Sequence, residues 1–106
     1  MFARNVTFHL KSNMLPDYTR TFNSDILPLL RRQNGFKDEI TFCGPGEVDV
    51  TAISLWDSKA SAETYNTNSY PEVLKVMSRF IEGTPKVQTS DVVNSTFHKI
   101  PVHATA

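Results

Sequence analysis

ISLWDSKASAETY, residues 53–65, runs from an apolar strand through the only tryptophan of the chain into a capped helix, with no loop between them. Val48, Val50, Ala52 and Trp56 share one parity of this strand, and Ile53 and Leu55 occupy the other. A strand apolar on both sides belongs in a sheet that is covered on both faces. Asp57 or Ser58 can cap the helix that follows, which carries Ala60, Ala62 and Tyr65. That junction sets the frame for the rest of the chain.

Upstream, Phe36, Ile40 and Phe42 alternate with Lys37, Glu39 and Thr41, and Gly44-Pro45-Gly46 turns the chain into the 48–56 strand, which makes a hairpin. Before the hairpin, Leu15, Tyr18, Phe22, Ile26, Leu29 and Leu30 have helical spacing, with Asn13 as an N-cap and Asn34-Gly35 as a stop. Pro28 lacks the N–H for the bond to Ser24, so this helix is expected to bend or to divide in two. Phe2, Val6, Phe8 and Leu10 alternate with Ala3, Asn5, Thr7 and His9 in an N-terminal strand, and Arg4 is the one polar residue on its apolar side.

Downstream, Asn66 to Ser69 is expected to interrupt the helix. Ser69-Tyr70-Pro71-Glu72 has capping-box spacing, and Val73, Val76, Met77, Phe80 and Ile81 continue at helical spacing towards a C-cap at Gly83. Residues 86–100, rich in Val and Thr, read as a last long strand with an irregularity near Val92-Val93, and 101–106 as a frayed tail.

The order strand, helix, strand, strand, helix, strand predicts an α+β, ferredoxin-like βαββαβ fold with a four-stranded antiparallel sheet, as a single domain over 1–106 with its core at about 2–100. Helices in that fold cover one face only. Phe36, Ile40 and Phe42 can pack beneath them, and Val48, Val50 and Trp56 are then candidates for the uncovered side, whichever parity faces the helices; a sheet-to-sheet dimer would supply the missing layer.

Eleven basic and eleven acidic residues cancel, so the electrostatic footprint of a nucleic-acid binder is missing. The single cysteine, Cys43, cannot form an internal disulfide, and a reducing cytoplasm is the default compartment. The N-terminus alternates like a strand instead of carrying a continuous apolar leader, and no stretch is long enough to span a membrane. Three scattered histidines lack metal-ligand spacing, and neither a nucleophile elbow nor a phosphate-cradling glycine loop is present.

Three stretches in this order, ILPLLRRQNGF (26–36), ISLWDSKASAETY (53–65) and YPEVLKVM (70–77), resemble the antibiotic biosynthesis monooxygenase domain, and the resemblance covers about residues 2–100. It implies a homodimeric α+β barrel with a pocket in each subunit between sheet and helices. The activity it implies is a cofactor-independent oxidation of a small aromatic or quinone-like substrate by molecular oxygen. Other members degrade haem, using a strand asparagine, a helical tryptophan and a histidine ligand. Asn5 falls on that asparagine position, but Tyr65 stands near the tryptophan position, Lys75 near the ligand position, and no histidine lies between His9 and His98. Haem is therefore not expected, and neither a metal nor another cofactor is implied.

Under the resemblance, Asn5 and His9 are the candidate catalytic residues, Asn5 as a hydrogen-bond donor to a substrate carbonyl or oxyanion and His9 as general base. Thr7, Trp56, Tyr65 and Tyr70 are candidates for substrate binding. The alternatives are that Asn5, Thr7 and His9 form the polar face of a half-exposed strand, and that Trp56 is core or interface packing. His98 and His103 read as surface residues, and Cys43 as a small strand residue. A non-catalytic dimeric protein that binds or senses a small ligand is the competing function.

Overall fold

The computed structural model describes residues 1–100, so the expected tail, with His103, lies outside the described residues. Strand β1 (Phe2–Leu10) leads into α1 (Leu15–Thr21), a π-helical turn (Phe22–Ile26) and α2 (Leu27–Arg31), then β2 (Phe36–Cys43), β3 (Asp49–Trp56), α3 (Lys59–Asn68), α4 (Tyr70–Met77) and β4 (Ile81–Asp91). The four strands form one antiparallel sheet in the order β2-β3-β1-β4, the α+β, ferredoxin-like arrangement.

Pro28 divides the first helical region as expected. The chain meets the missing N–H with a π turn, in which the N–H of Leu27 reaches back five residues to the carbonyl of Phe22. Other boundaries differ from the sequence reading. Asn13 takes a left-handed φ of 62° ahead of the helix instead of capping it. Ser58 caps α3 by accepting the Ser61 N–H. Ser69 forms no capping box, because its hydroxyl donates to Gln33 Oε1 across the α2 terminus. Gly83, with φ of 72°, sits inside β4 where the register against β1 shifts, a bulge that also houses Pro85. The last strand therefore spans Ile81–Asp91 and not 86–100. Beyond the Val92 N–H, which donates to the Met1 carbonyl, β1 offers nothing further to pair with.

The structure shows which of the two parities faces the helices, and it is that of Val50 and Trp56 and not of Ile40 and Phe42. Phe2, Arg4, Val6, Phe8 and Leu10 of β1, paired with Trp56, Ser54, Ala52 and Val50 of β3, lie under the helices. Ile40 and Phe42 lie on the opposite, open face with Ile53 and Thr51, at 47% and 53% exposure. Phe36 stays on the helix side, its ring 5.5 Å from that of Trp56, because an irregularity between Phe36 and Asp38 inverts the alternation within β2. Gly35, at φ of 84°, passes so close to α3 that a Cβ there would lie 2.3 Å from Asp57 Oδ1 and 2.4 Å from Ser61 Oγ.

Candidate functional site

Helix-facing positions of a sheet are normally apolar, and here one rank is not. The register puts Arg4 beside Ser54 and Ser54 beside Glu39, so a polar row crosses β1, β3 and β2. Its flanking ranks are Val6, Ala52 and Thr41 on one side and Phe2, Trp56 and Phe36 on the other. With strands spaced roughly 4.8 Å apart, the backbones that carry Arg4 and Glu39 stand roughly 10 Å from each other across the floor.

Above this row lies a cavity of about 40 Å³ between sheet and helices, roofed by Phe22, Ile26 and Leu30 from the π turn and α2, and by Tyr65, Tyr70, Val73 and Met77 from α3 and α4. A π turn at this place opens the helix ladder where the roof is needed, as π bulges commonly do at sites. That volume holds a few waters, so a ring-sized ligand enters only if roof side chains shift.

Arg4 is 3% exposed, with Cζ 4.0 Å from the Tyr70 ring centre and 5.2 Å from that of Tyr65. One guanidinium N–H donates to Asn66 Oδ1 at 2.8 Å, and among the described residues no carboxylate lies within ion-pairing distance. The Tyr18 hydroxyl is buried without a hydrogen-bond partner, and the buried Tyr70 hydroxyl has only the Arg4 guanidinium beside it. Leaving such groups unmade costs about 1–3 kcal/mol each, which marks the cavity as a place where polar groups await a partner. Burial pushes the phenols up, Tyr65 to about 12 against the opposing pull of Arg4, and Tyr18 and Tyr70 likewise upward. All three are neutral donors at neutral pH. Burial also raises the Glu39 carboxyl, with a partial offset from the Thr41 hydroxyl that donates to it.

Of the residues singled out in the sequence, Tyr65 and Tyr70 line this cavity. Trp56 lies beside it, fully buried, stacked 5.0 Å from Tyr65 and donating its indole N–H to Ser54 Oγ at 2.9 Å. Asn5, Thr7 and His9 point to the open face, with Asn5 Oδ1 buried but unpartnered and His9 hydrogen-bonded to the exposed Asp49. His98 lies past the end of β4, half-buried against Asp38. Arg4, Ser54, Glu39 and Tyr18 were not read as site residues. The one signal for them in the sequence was an arginine at an apolar position of β1. A separate hollow of about 350 Å³ on the open face is lined by Asp38, Ile40, Ile53, Leu55, Phe97 and His98, with Glu39 at its edge. Among the described residues no group of three or more His, Cys, Asp or Glu side chains comes together as a metal site, and no helix is long and apolar enough to cross a membrane.

Fold and cavity together define a small α+β protein whose helices roof an internal aromatic pocket. The chain has the fold of the antibiotic biosynthesis monooxygenase structures. It is similar to a Streptomyces coelicolor monooxygenase in complex with nanaomycin D, with a TM-score of 0.75, 15% identity, and coverage of 95% of this chain and 92% of that one. It is also similar to a putative antibiotic biosynthesis monooxygenase from Bordetella bronchiseptica, at a TM-score of 0.73 and 12% identity over 88% of this chain and 97% of that one. A third likeness is to SnoaB, a cofactor-independent oxygenase from Streptomyces nogalater, at a TM-score of 0.71 and 10% identity over 90% and 95% of the two chains. No protein-family model matches the sequence, and no curated protein matches it significantly.

Proposed function

We propose that the protein is a homodimeric monooxygenase that oxidises a small aromatic or quinone-like substrate with molecular oxygen and no cofactor. The observation that carries this reading is the cavity walled by Tyr18, Tyr65 and Tyr70, set between sheet and helices in a fold shared with named oxygenases. In such chemistry the substrate supplies the electrons: a phenol or enol gives up a proton and its anion reduces oxygen. The protein binds the ring and keeps water away from the intermediates. Tyr65 and Tyr70 contact the ring, and Trp56 backs Tyr65 from the core.

The open face supports homodimer formation. Ile40, Phe42, Ile53 and Leu55 form an apolar area that a second sheet would cover. In this reading Asn5, Thr7 and His9 belong to the subunit interface.

Oxygen-electrode measurements with anthrone and hydroquinone probes test the activity. Uptake above the buffer rate that falls about tenfold or more in Tyr70→Ala is the expected result. Binding without oxygen uptake would leave the non-catalytic ligand-binding reading, which the buried tyrosine hydroxyls suit equally well.

A further inference from the structure

Arg4 sets a question that general ring binding does not answer. A guanidinium withdrawn from water costs several kcal/mol unless an anion or a full set of acceptors compensates it. Here the compensation consists of one side-chain acceptor, Asn66, the Tyr70 hydroxyl beside the guanidinium and two aromatic faces, and among the described residues no carboxylate pairs with it. The carboxylate on the same row, Glu39, is held at the far side of Ser54 with no ion pair between them. Had the row served stability alone, a direct Arg–Glu contact or an apolar rank would be the cheaper arrangement.

The same residues read differently when a ligand is added. Arg4 lines the internal cavity and also a second groove, of about 130 Å³, between α3 and β4, where Phe2, Glu63, Asn66 and Thr89 also line the wall and Glu63 pairs with Lys59 at 3.9 Å and not with Arg4. Tyr18 and Tyr70 offer two further buried hydroxyls within the same cavity. Cation, neutral donors and aromatic walls therefore surround one space, and the acceptor missing from it is an anionic oxygen carried on a flat ring.

We propose that the row Arg4, Ser54, Glu39 is a selectivity filter for ring ligands that carry an ionised hydroxyl, with Arg4 as the residue that holds the ring-borne oxyanion and Tyr70 as its neighbouring donor. This rests on the reading of the cavity as an aromatic site and narrows it to acidic phenols and hydroxyquinones. Glu39, at the other end of the row, repels a second anionic substituent and so fixes which end of the ring faces Arg4.

Isothermal titration calorimetry with two naphthoquinones decides the matter without depending on turnover. The probes are 2-hydroxy-1,4-naphthoquinone, ionised at neutral pH, and unsubstituted 1,4-naphthoquinone. The wild-type protein should bind the hydroxylated ring at least about tenfold more tightly. Arg4→Gln should bring the two affinities together, and Arg4→Lys should restore part of the preference, with thermal unfolding confirming that both variants fold. On the wild type alone, affinity for the hydroxylated ring should fall as its hydroxyl is protonated while that for the plain ring stays level. Equal affinities in the wild type, or a preference that survives Arg4→Gln, overturns the filter. If neither ring binds and the oxygen electrode is also silent, the aromatic-site reading falls with it. Oxygen uptake that is indifferent to Arg4 removes the filter alone.

Discussion

The two faces of the sheet are built from the same alternating strands and hold their polar residues in opposite ways. On the helix side, the buried polar side chains Arg4 and Ser54 and the half-buried Glu39 gather in one row under aromatic rings. On the open side Asn5, Thr7, His9, Gln88 and Lys86 spread over β1 and β4, and the apolar residues Ile40, Phe42, Ile53 and Leu55 gather on β2 and β3. A polar group among apolar ones calls for a ligand, and an apolar patch among polar ones calls for a second surface. The proposed function uses this contrast, with chemistry on one face and assembly on the other.

Trp56→Ala should break the helix side outright. It removes a fully buried indole packed on Phe36 and Tyr65, for a loss of about 3–5 kcal/mol read from urea denaturation. A loss under about 1 kcal/mol would show that Trp56 is not the centre of the core. Phe42→Lys should break the open side, weakening self-association by about tenfold or more in sedimentation experiments while ring binding in the cavity persists. Dimerisation unaffected by this lysine would place the subunit contact elsewhere. The smallest effect concerns pH and Glu39. Its raised carboxyl means that the folded protein holds this proton more tightly than the unfolded chain, so the burial penalty is absent below the ordinary value of 4.5 and grows as pH rises through the raised one. Glu39→Gln should therefore melt slightly higher at pH 7, by roughly 1–2 °C since the carboxyl is partly solvated, and lose that gain near pH 4. An advantage that grew on acidification would reverse the sign argued for Glu39.

Most of the fold was legible in the sequence because alternation and helical spacing are local. The strand-to-helix junction at Trp56, the Gly44-Pro45-Gly46 turn and the division at Pro28 all follow from neighbours in the chain. The boundaries that moved depend on distant partners: β4 ends at Asp91 because β1 begins at Phe2, and Ser69 forgoes its cap for Gln33. The site was harder to read for the same reason. Arg4, Ser54 and Glu39 become neighbours only through strand register, and the irregularity between Phe36 and Asp38 brings Glu39, instead of Ile40, to the helix side. Alternation counted from Phe36 alone gives the reverse answer. Arg4 was visible as the exception in its strand, but nothing local distinguished a buried guanidinium from one that reaches past the sheet edge.

Gly35 carries a further consequence. It closes ILPLLRRQNGF, and the atoms it would strike if it bore a side chain are Asp57 and Ser61, inside ISLWDSKASAETY. The two stretches, sixteen residues apart in sequence, are the two halves of one joint, fastened where the Asp57 N–H meets the Gly35 carbonyl at 2.8 Å. A methyl group at position 35 would pry the start of α3 from the hairpin, and the tyrosine that α3 lends to the cavity would move with it.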